Sequence, residues 1–103
     1  MKDLLGQAIL DYQIQKTPVF VNTCTDITDW DELEIAYFFR AYKAMPKLEQ
    51  KALDKCTGKV LDVGCGAGSH ALYLQQKGVD VTAIDISAHA VETAKKRGVK
   101  QAF

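Results

Sequence analysis

Three glycines at alternate positions, Gly64, Gly66 and Gly68, constrain the fold of this chain more than any other feature. The apolar pair Val60 and Leu61 precedes them, and a run of residues that suits a helix follows. This order predicts a buried strand, a turn and the start of a helix. Glycines suit such a turn because they adopt positive φ at little cost, and because backbone without side chains lets a ligand approach closely. The pattern therefore predicts a cradle for a small molecule.

An acidic residue near the end of the same strand indicates what kind of molecule the turn holds. A dinucleotide-binding turn has the pattern G-x-G-x-x-G and places a pyrophosphate at the helix N-terminus. Here the third glycine, Gly68, comes one position early, and Asp62 would repel a diphosphate. Asp62 would instead attract a cation. An amino acid joined to a nucleoside fits this field, because it has an ammonium group for the strand end and a carboxylate for the helix N-terminus.

Residues 79–85 predict a second strand that also ends in an acid. Asp85 follows Gly66 by roughly 20 positions, which is the spacing of the ribose-binding acid in a βαβ unit. Such an acid lies at the tip of the second strand and accepts hydrogen bonds from the ribose hydroxyls. The next residue, Ile86, is placed to pack on an adenine face.

The glycine turn and the two acidic strand ends together resemble motifs I and II of the class I S-adenosylmethionine (SAM)-dependent methyltransferases. The matching residues are Asp62-x-Gly64-x-Gly66-x-Gly68 and Ala83-Ile84-Asp85-Ile86-Ser87. The resemblance covers residues 59–87, while 37–40 and 45–46 are more loosely similar to the lead-in helices of small-molecule methyltransferases. It implies an α/β fold with a doubly wound, Rossmann-like parallel sheet, and SAM as the cofactor.

The same resemblance implies roles for individual residues. Gly64, Gly66 and Gly68 are expected to approach the methionyl part of SAM. Asp62 is expected near its amino group, and Asp85 on its ribose.

Three further residues are candidates for the site. Cys65 lies between two of the glycines and is expected to line the pocket. Arg40 could hold the ligand carboxylate with its guanidinium, as part of a lid, or it could lie on a helix whose aromatic residues belong to the core. His70 follows the turn and is interpreted as an exposed polar residue, with a ligand role as the alternative. No residue is assigned as a nucleophile, a base or a metal ligand.

Three helices are predicted ahead of the glycine turn. The first covers residues 2–16, and an extended connector and a mobile loop over 22–31 follow it. Asp29-x-x-Glu32 resembles a capping box and predicts a second helix that begins near Trp30.

The third predicted helix begins at Pro46 and places Leu48, Ala52 and Cys56 on its inner face, with Leu53 beside them. Beyond the second strand, Ser87 is predicted to cap the last helix.

Composition and charge exclude several classes of protein. The formal net charge is zero, so a general binder of nucleic acid or of membrane surfaces is not expected. No run approaches the ~18 apolar residues of a membrane span, and the N-terminus lacks a signal peptide, so a cytoplasmic location is expected. The acids of residues 26–34 and the bases of 95–100 are interpreted as solvated faces. Three cysteines without a C-x-x-C spacing predict neither disulfides nor a zinc site.

The chain is interpreted as two parts. Residues 1–58 form a helical lead-in, and 59–103 form the first part of the SAM-binding domain, truncated after about two strands. Parallel strands are normally buried on both faces, yet one helical layer covers only one. We therefore expect the N-terminal part of a longer enzyme, inactive by itself, that associates through its open sheet edge.

The predicted function is SAM binding in a methyltransferase whose acceptor the sequence leaves open, with a small molecule as the expected class of partner. Two alternatives stay open. The chain could be a non-catalytic module whose glycine turn only serves packing. It could also be part of an NAD-dependent oxidoreductase, which Asp62 and the early third glycine disfavour.

Overall fold

The computed structural model describes residues 3–25 and 27–103, which alternate between helices and strands. The elements, in chain order, are α1 (Leu4–Gln15), β1 (Phe20–Thr25), β2 (Thr28–Glu34), two 3₁₀ helices (Ile35–Phe39 and Tyr42–Ala44), α2 (Lys47–Asp54), β3 (Lys59–Val63), α3 (Ser69–Gln76), β4 (Asp80–Ile84) and α4 (Ala88–Arg97). Within these described ranges, no helix has the length and apolar character needed to cross a membrane.

The two predicted strands around the glycine turn pair in parallel. Val60 of β3 lies opposite Val81 of β4, and Asp62 lies opposite Ala83. On the far side of β4, Ala83 forms a parallel bridge with Ala102, and its backbone exchanges hydrogen bonds with Gln101 and Phe103. The predicted α/β fold with a Rossmann-like parallel sheet is confirmed. Because parallel strands run in the same direction, Asp62 and Asp85 come to the same edge of the sheet.

One face of this sheet is covered by helices and the other is bare. Val81 and Ala83 point into a core that also contains buried residues of α3 and α4, among them Ala71, Leu74 and Ala94. On the opposite face, the side chains of Leu61 and Val63 are 58% and 71% exposed. The single helical layer expected from the sequence is therefore present.

The first helix packs against the last one. α1 contacts α4, and a second buried cluster joins Ala8 and Ile9 of α1 to Ile35 and to Ala67 of the glycine turn. This cluster crosses the predicted boundary at residue 58, and the division into two parts stays a prediction.

The segment between α1 and α2 differs from its prediction. In place of a mobile loop over 22–31 and a helix from Trp30, β1 and β2 form an antiparallel hairpin, with Val21 opposite Leu33 and Asn22 opposite Glu32. Both predictions were wrong, except that the part of the loop at Asp26 lies outside the described residues.

The physical reason is a competition between two local patterns. Asp29 and Glu32 have the spacing of a capping box, but both lie inside β2. Val19 and Val21 have the alternate spacing of a strand that buries one side, and their packing beside α1 outweighs the helical signal.

The predicted starts of two helices agree with the structure. α2 begins directly after Pro46, and the Ser87 hydroxyl oxygen accepts a hydrogen bond from the amide of Ala90 (3.0 Å), which caps α4. The inner face of α2 was assigned partly wrongly. Leu53 is buried and Cys56 packs against the same core, as predicted, but Leu48 is 79% exposed and Ala52 is exposed too. The reason is that the face in contact with the core follows the three-residue step from Leu53 to Cys56.

Candidate functional site

The glycine turn between β3 and α3 has an open concave side. Gly64 and Gly66 have φ angles of 73° and 55°, which side chains disfavour. The amides of Gly64 and Cys65 both donate to the carbonyl of Ile84, at 2.9 and 3.0 Å, so the turn is tied to the end of β4. A Cβ added at Gly64 would meet no atom within 4 Å, and one at Gly66 would meet only the Phe38 ring, at 3.9 Å. A ligand can therefore touch this backbone.

Gly68 faces the other way. A Cβ at this position would lie 3.0 Å from both Ala94 Cβ and Val99 Cγ2. The glycine thus permits close packing of the turn on α4, and it lines neither of the cavities described below. Its predicted contact with the cofactor stays a prediction.

Asp85 lies at the mouth of the turn with its carboxylate held by backbone amides. Gly66 N donates to Oδ2 and Ser87 N donates to Oδ1, each at 2.9 Å. A carboxylate offers about four acceptor positions, so two remain for hydroxyl donors of a ligand.

Asp62 lies beneath the same turn in an unusual environment. Its Oδ2 is buried, and the described part of the chain offers that oxygen no hydrogen-bond partner. Burial raises the pKa of the Asp62 carboxyl above its usual value of 3.8; the positive field of His70 opposes this rise and the charge of Asp85 adds to it. A buried carboxylate oxygen without a donor is costly, and a cationic donor from a ligand would remove that cost.

A cavity of about 290 Å³ lies on the α2 side of the turn. Its charged residues form a small network, in which Glu49 accepts from Arg40 Nη2 at 3.3 Å and contacts His70 Nε2 at 2.8 Å. The hydrogen bond from His70 lowers the pKa of Glu49, with a further contribution from Arg40. The Arg40 guanidinium also lies 3.9 Å from the centre of the Tyr37 ring. This cavity combines aromatic walls with two groups that can bind a carboxylate.

A second cavity of about 580 Å³ lies on the α1 side. Asp85 and Ile86 line one wall, and residues of α1 line the other. Ile86 is 99% exposed, so its side chain is available to a ligand. The two cavities share Phe38, Gly64 and Gly66. An elongated ligand that bends over the glycine turn would therefore occupy both.

The thiol of Cys65 is a further group in the turn. Burial raises the pKa of the Cys65 thiol to about 11, with help from the charges of Asp62 and Asp85, so the thiol stays protonated and is a poor nucleophile. In the described parts of the chain, no three potential metal ligands lie close together.

Arg97 supports the turn from behind. Its Nη1 donates to Ala67 O at 2.8 Å and to Ser69 Oγ at 2.9 Å, and its guanidinium lies 4.7 Å from the Phe39 ring centre. Burial lowers the pKa of this side chain. The interpretation of residues 95–100 as a solvated basic face was wrong for Arg97, because the side chain reaches back into the core instead of following the helix surface.

Known proteins resemble this chain in both sequence and fold. Residues 60–103 match the family described as a methyltransferase domain. A solved structure of a SAM-dependent methyltransferase from Bacteroides fragilis, in complex with S-adenosyl-L-homocysteine, has a TM-score of 0.92 and 46% identity to this chain. The match covers 98% of this chain and 42% of that one. The chain therefore resembles the SAM-dependent methyltransferases, as its glycine turn and its two acidic strand ends indicate.

Curated methyltransferases and related enzymes match part of the chain. A magnesium-protoporphyrin O-methyltransferase of Rhodobacter capsulatus is 44% identical over 45 residues, which are 43% of this chain and 20% of that protein. An S-adenosyl-L-methionine-dependent Diels-Alderase of Talaromyces variabilis is 36% identical over 62 residues, covering 56% of this chain and 21% of that protein. The chain thus spans about a fifth of the length of these relatives.

The fold brings most of the predicted site residues together. Asp62, Gly64, Gly66 and Asp85 surround the open turn, Cys65 and Arg40 line the smaller cavity, Ile86 lines the larger one, and Gly68 lies apart.

Two contributions to the candidate site were not predicted from the sequence. Glu49 was not singled out, because its ties to Arg40 and His70 join three separate elements. The wall formed by α1 was missed for the same reason. The sequence did contain a signal for the start of α1, because Asp3 is a residue type favoured at the N-cap and directly precedes a helical run.

Proposed function

We propose that this chain binds SAM and forms the cofactor-binding part of a methyltransferase. The observation that carries the proposal is the buried Asp62 Oδ2, which lacks a donor and lies beneath an open glycine turn. An ammonium group supplies the missing donor and charge. A phosphate would add a negative charge to the field of Asp62 and Asp85, which disfavours a dinucleotide such as NAD.

With the ammonium group of SAM at Asp62, the other groups of SAM can be assigned to nearby residues. Its ribose hydroxyls pair with the Asp85 carboxylate, and its adenine packs on Ile86 in the larger cavity. Its carboxylate enters the smaller cavity, near His70 and the start of α3, and pairs with the Arg40 N–H donors that Glu49 and the carbonyl of Tyr37 do not use. An arginine suits this task because its planar guanidinium can bind both oxygens of a carboxylate.

The chemistry of methyl transfer requires little of these residues beyond binding. SAM supplies a methyl group on a positively charged sulfur, and the enzyme aligns the acceptor for direct displacement. The chain's residues bind and orient the cofactor, and Phe38 and Tyr37 shield it from water. No residue of the chain is assigned as a nucleophile or a base.

We further propose a small-molecule acceptor. The zero net charge gives no general attraction to nucleic acid. The magnesium-protoporphyrin O-methyltransferase is a relative of this kind, although a ribosomal RNA methyltransferase of Psychromonas ingrahamii is also 44% identical over 55 residues.

Calorimetric titration with S-adenosyl-L-homocysteine tests cofactor binding. We expect the chain to bind this ligand and Asp85→Ala to weaken binding about tenfold or more, because hydrogen bonds to a charged acceptor are lost. Asp80→Ala is the matched control, since Asp80 is an exposed acid at the opposite end of the same strand. It should bind like the wild type.

Two results would contradict the proposal. One is the absence of any binding by the wild-type chain, with thermal unfolding showing that it is folded. The other is tighter binding of NAD than of S-adenosyl-L-homocysteine, which would favour an oxidoreductase.

A further inference from the structure

A chain of hydrogen bonds connects the start of α1 to the ribose-binding acid. The Asp3 carboxylate caps α1 by accepting from Gly6 N at 3.0 Å, and it also accepts from the Ser87 hydroxyl. Ser87 in turn caps α4 through its hydroxyl oxygen and donates its backbone amide to Asp85 Oδ1 at 2.9 Å. Asp3 is therefore one side chain away from the carboxylate that faces the ligand.

Gly6 is the residue that allows this approach. A Cβ at Gly6 would collide with Ser87 Oγ and with both oxygens of the Asp3 carboxylate. The absence of a side chain at this helical position thus lets the start of α1 sit directly on the start of α4.

The same contact positions α1 as a wall of the larger cavity. Leu4, Leu5 and Ile9 line this cavity opposite Asp85 and Ile86. Leu4 and Leu5 are 68% and 42% exposed, so apolar area is available for a flat ring to cover.

We propose that Asp3 is a positioning residue for the nucleoside half of the cofactor: through Ser87 it orients Asp85, and it holds α1 against the nucleoside. This inference rests on the proposed function. The Ser87 hydrogen bond lowers the pKa of Asp3, so at neutral pH the acceptor is a carboxylate and the contact is charge-assisted.

Ser87→Asp breaks the contact without uncapping α4. Aspartate is as good an N-cap residue as serine, but its carboxylate faces that of Asp3 and repels it. We expect the affinity for S-adenosyl-L-homocysteine and for adenosine to fall about tenfold. We also expect faster hydrogen exchange in α1.

The double variant Ser87→Asp with Asp3→Asn should restore binding. The asparagine oxygen can still accept from Gly6 N, while its amide group donates to the introduced carboxylate. If the single variant failed only because a charge was placed beside Asp85, the second change would not restore affinity. Asp11→Asn is the control on the exposed side of α1, where Asp11 accepts from the Gln7 side chain.

The outcomes separate this inference from the proposed function. Weaker binding in Ser87→Asp and recovery in the double variant support it. Equal affinity in wild type and Ser87→Asp, or a fall that the double variant does not reverse, overturns it and leaves cofactor binding intact. A merely structural contact would lower the melting temperature and leave the affinity of the folded protein unchanged. A wild-type chain that binds neither ligand overturns both proposals.

Discussion

Asp62 shows how one atom can define a site. Its carboxyl shares the face of β3 that points to the helices, where an aliphatic side chain would pack at lower cost. The chain accepts both the burial and the nearby charge of Asp85, and it supplies no donor to Oδ2 among the described residues. A bound cation offsets the cost of burying this carboxylate beside Asp85. The same unfavourable burial therefore favours binding of a positively charged ligand.

Ligand binding should therefore depend on the protonation of Asp62. The pKa of Asp62 in the free protein lies above 3.8, and the ammonium group binds only the ionised form. Affinity for S-adenosyl-L-homocysteine should be full above this raised pKa and fall as pH decreases through it. Calorimetric titrations over a descending pH series measure the effect.

Asp62→Asn should bind more weakly at neutral pH and lose this acid dependence. His70 and Asp85 also face the site, and both are unchanged in this variant. Asp80→Asn is the control, and we expect it to keep the acid dependence. An unchanged acid dependence in Asp62→Asn would assign the titration to another group.

At the scale of elements, the glycine turn combines two different uses of the same residue type. Gly64 and Gly66 leave space for a ligand, whereas Gly68 leaves space for α4. The sequence pattern cannot distinguish these uses, because both require positive φ. The distinction depends on which atoms of a distant helix stand opposite each glycine.

Gly68→Ala should destabilise the fold more than Gly78→Ala. Both positions have nearly the same φ, 85° and 86°, so the conformational strain of about 1–2 kcal/mol is shared. Only at Gly68 would the new methyl group press on Ala94 and Val99, which adds about 1–3 kcal/mol of overpacking. Urea unfolding of both variants measures the difference. Equal losses of stability would show that the packing at Gly68 adjusts without cost.

The hairpin of β1 and β2 illustrates a second limit at this scale. The capping pattern of Asp29 and Glu32 lies within residues that pair as a strand, and either local preference is weak. The contact of Val19 and Val21 with α1 decides between them. Where a single local pattern dominated, as in β3, α3 and α4, the prediction was correct.

At the scale of the whole molecule, one face of the parallel sheet exposes apolar side chains of the described residues. Leu61 and Val63 lie on it, and the outer edge of β3 has no partner strand among the described residues. Uncovered sheet edges and apolar faces promote pairing with another chain. We propose that isolated copies of this chain associate there.

Leu61→Glu should reduce this association. A charge on the apolar face opposes its burial between two copies. Sedimentation velocity over a series of concentrations should show assemblies of the wild-type chain and fewer of the variant. Leu48→Glu places the same change at an exposed leucine on α2 and should behave like the wild type. A wild-type chain that remains a monomer at high concentration would contradict the proposal.

The sequence by itself determined the unit of strand, glycine turn, helix and second strand, together with the two acids at the strand ends. These features depend on neighbouring residues and on a fixed spacing, which the local periodicity of strands and helices expresses directly. Only the tertiary structure decided that Asp3 meets Ser87, that Arg97 reaches Ala67, and that Glu49 joins Arg40 to His70. Each of these contacts connects separate elements, and it forms because packing α1 and α2 against the turn buries apolar surface.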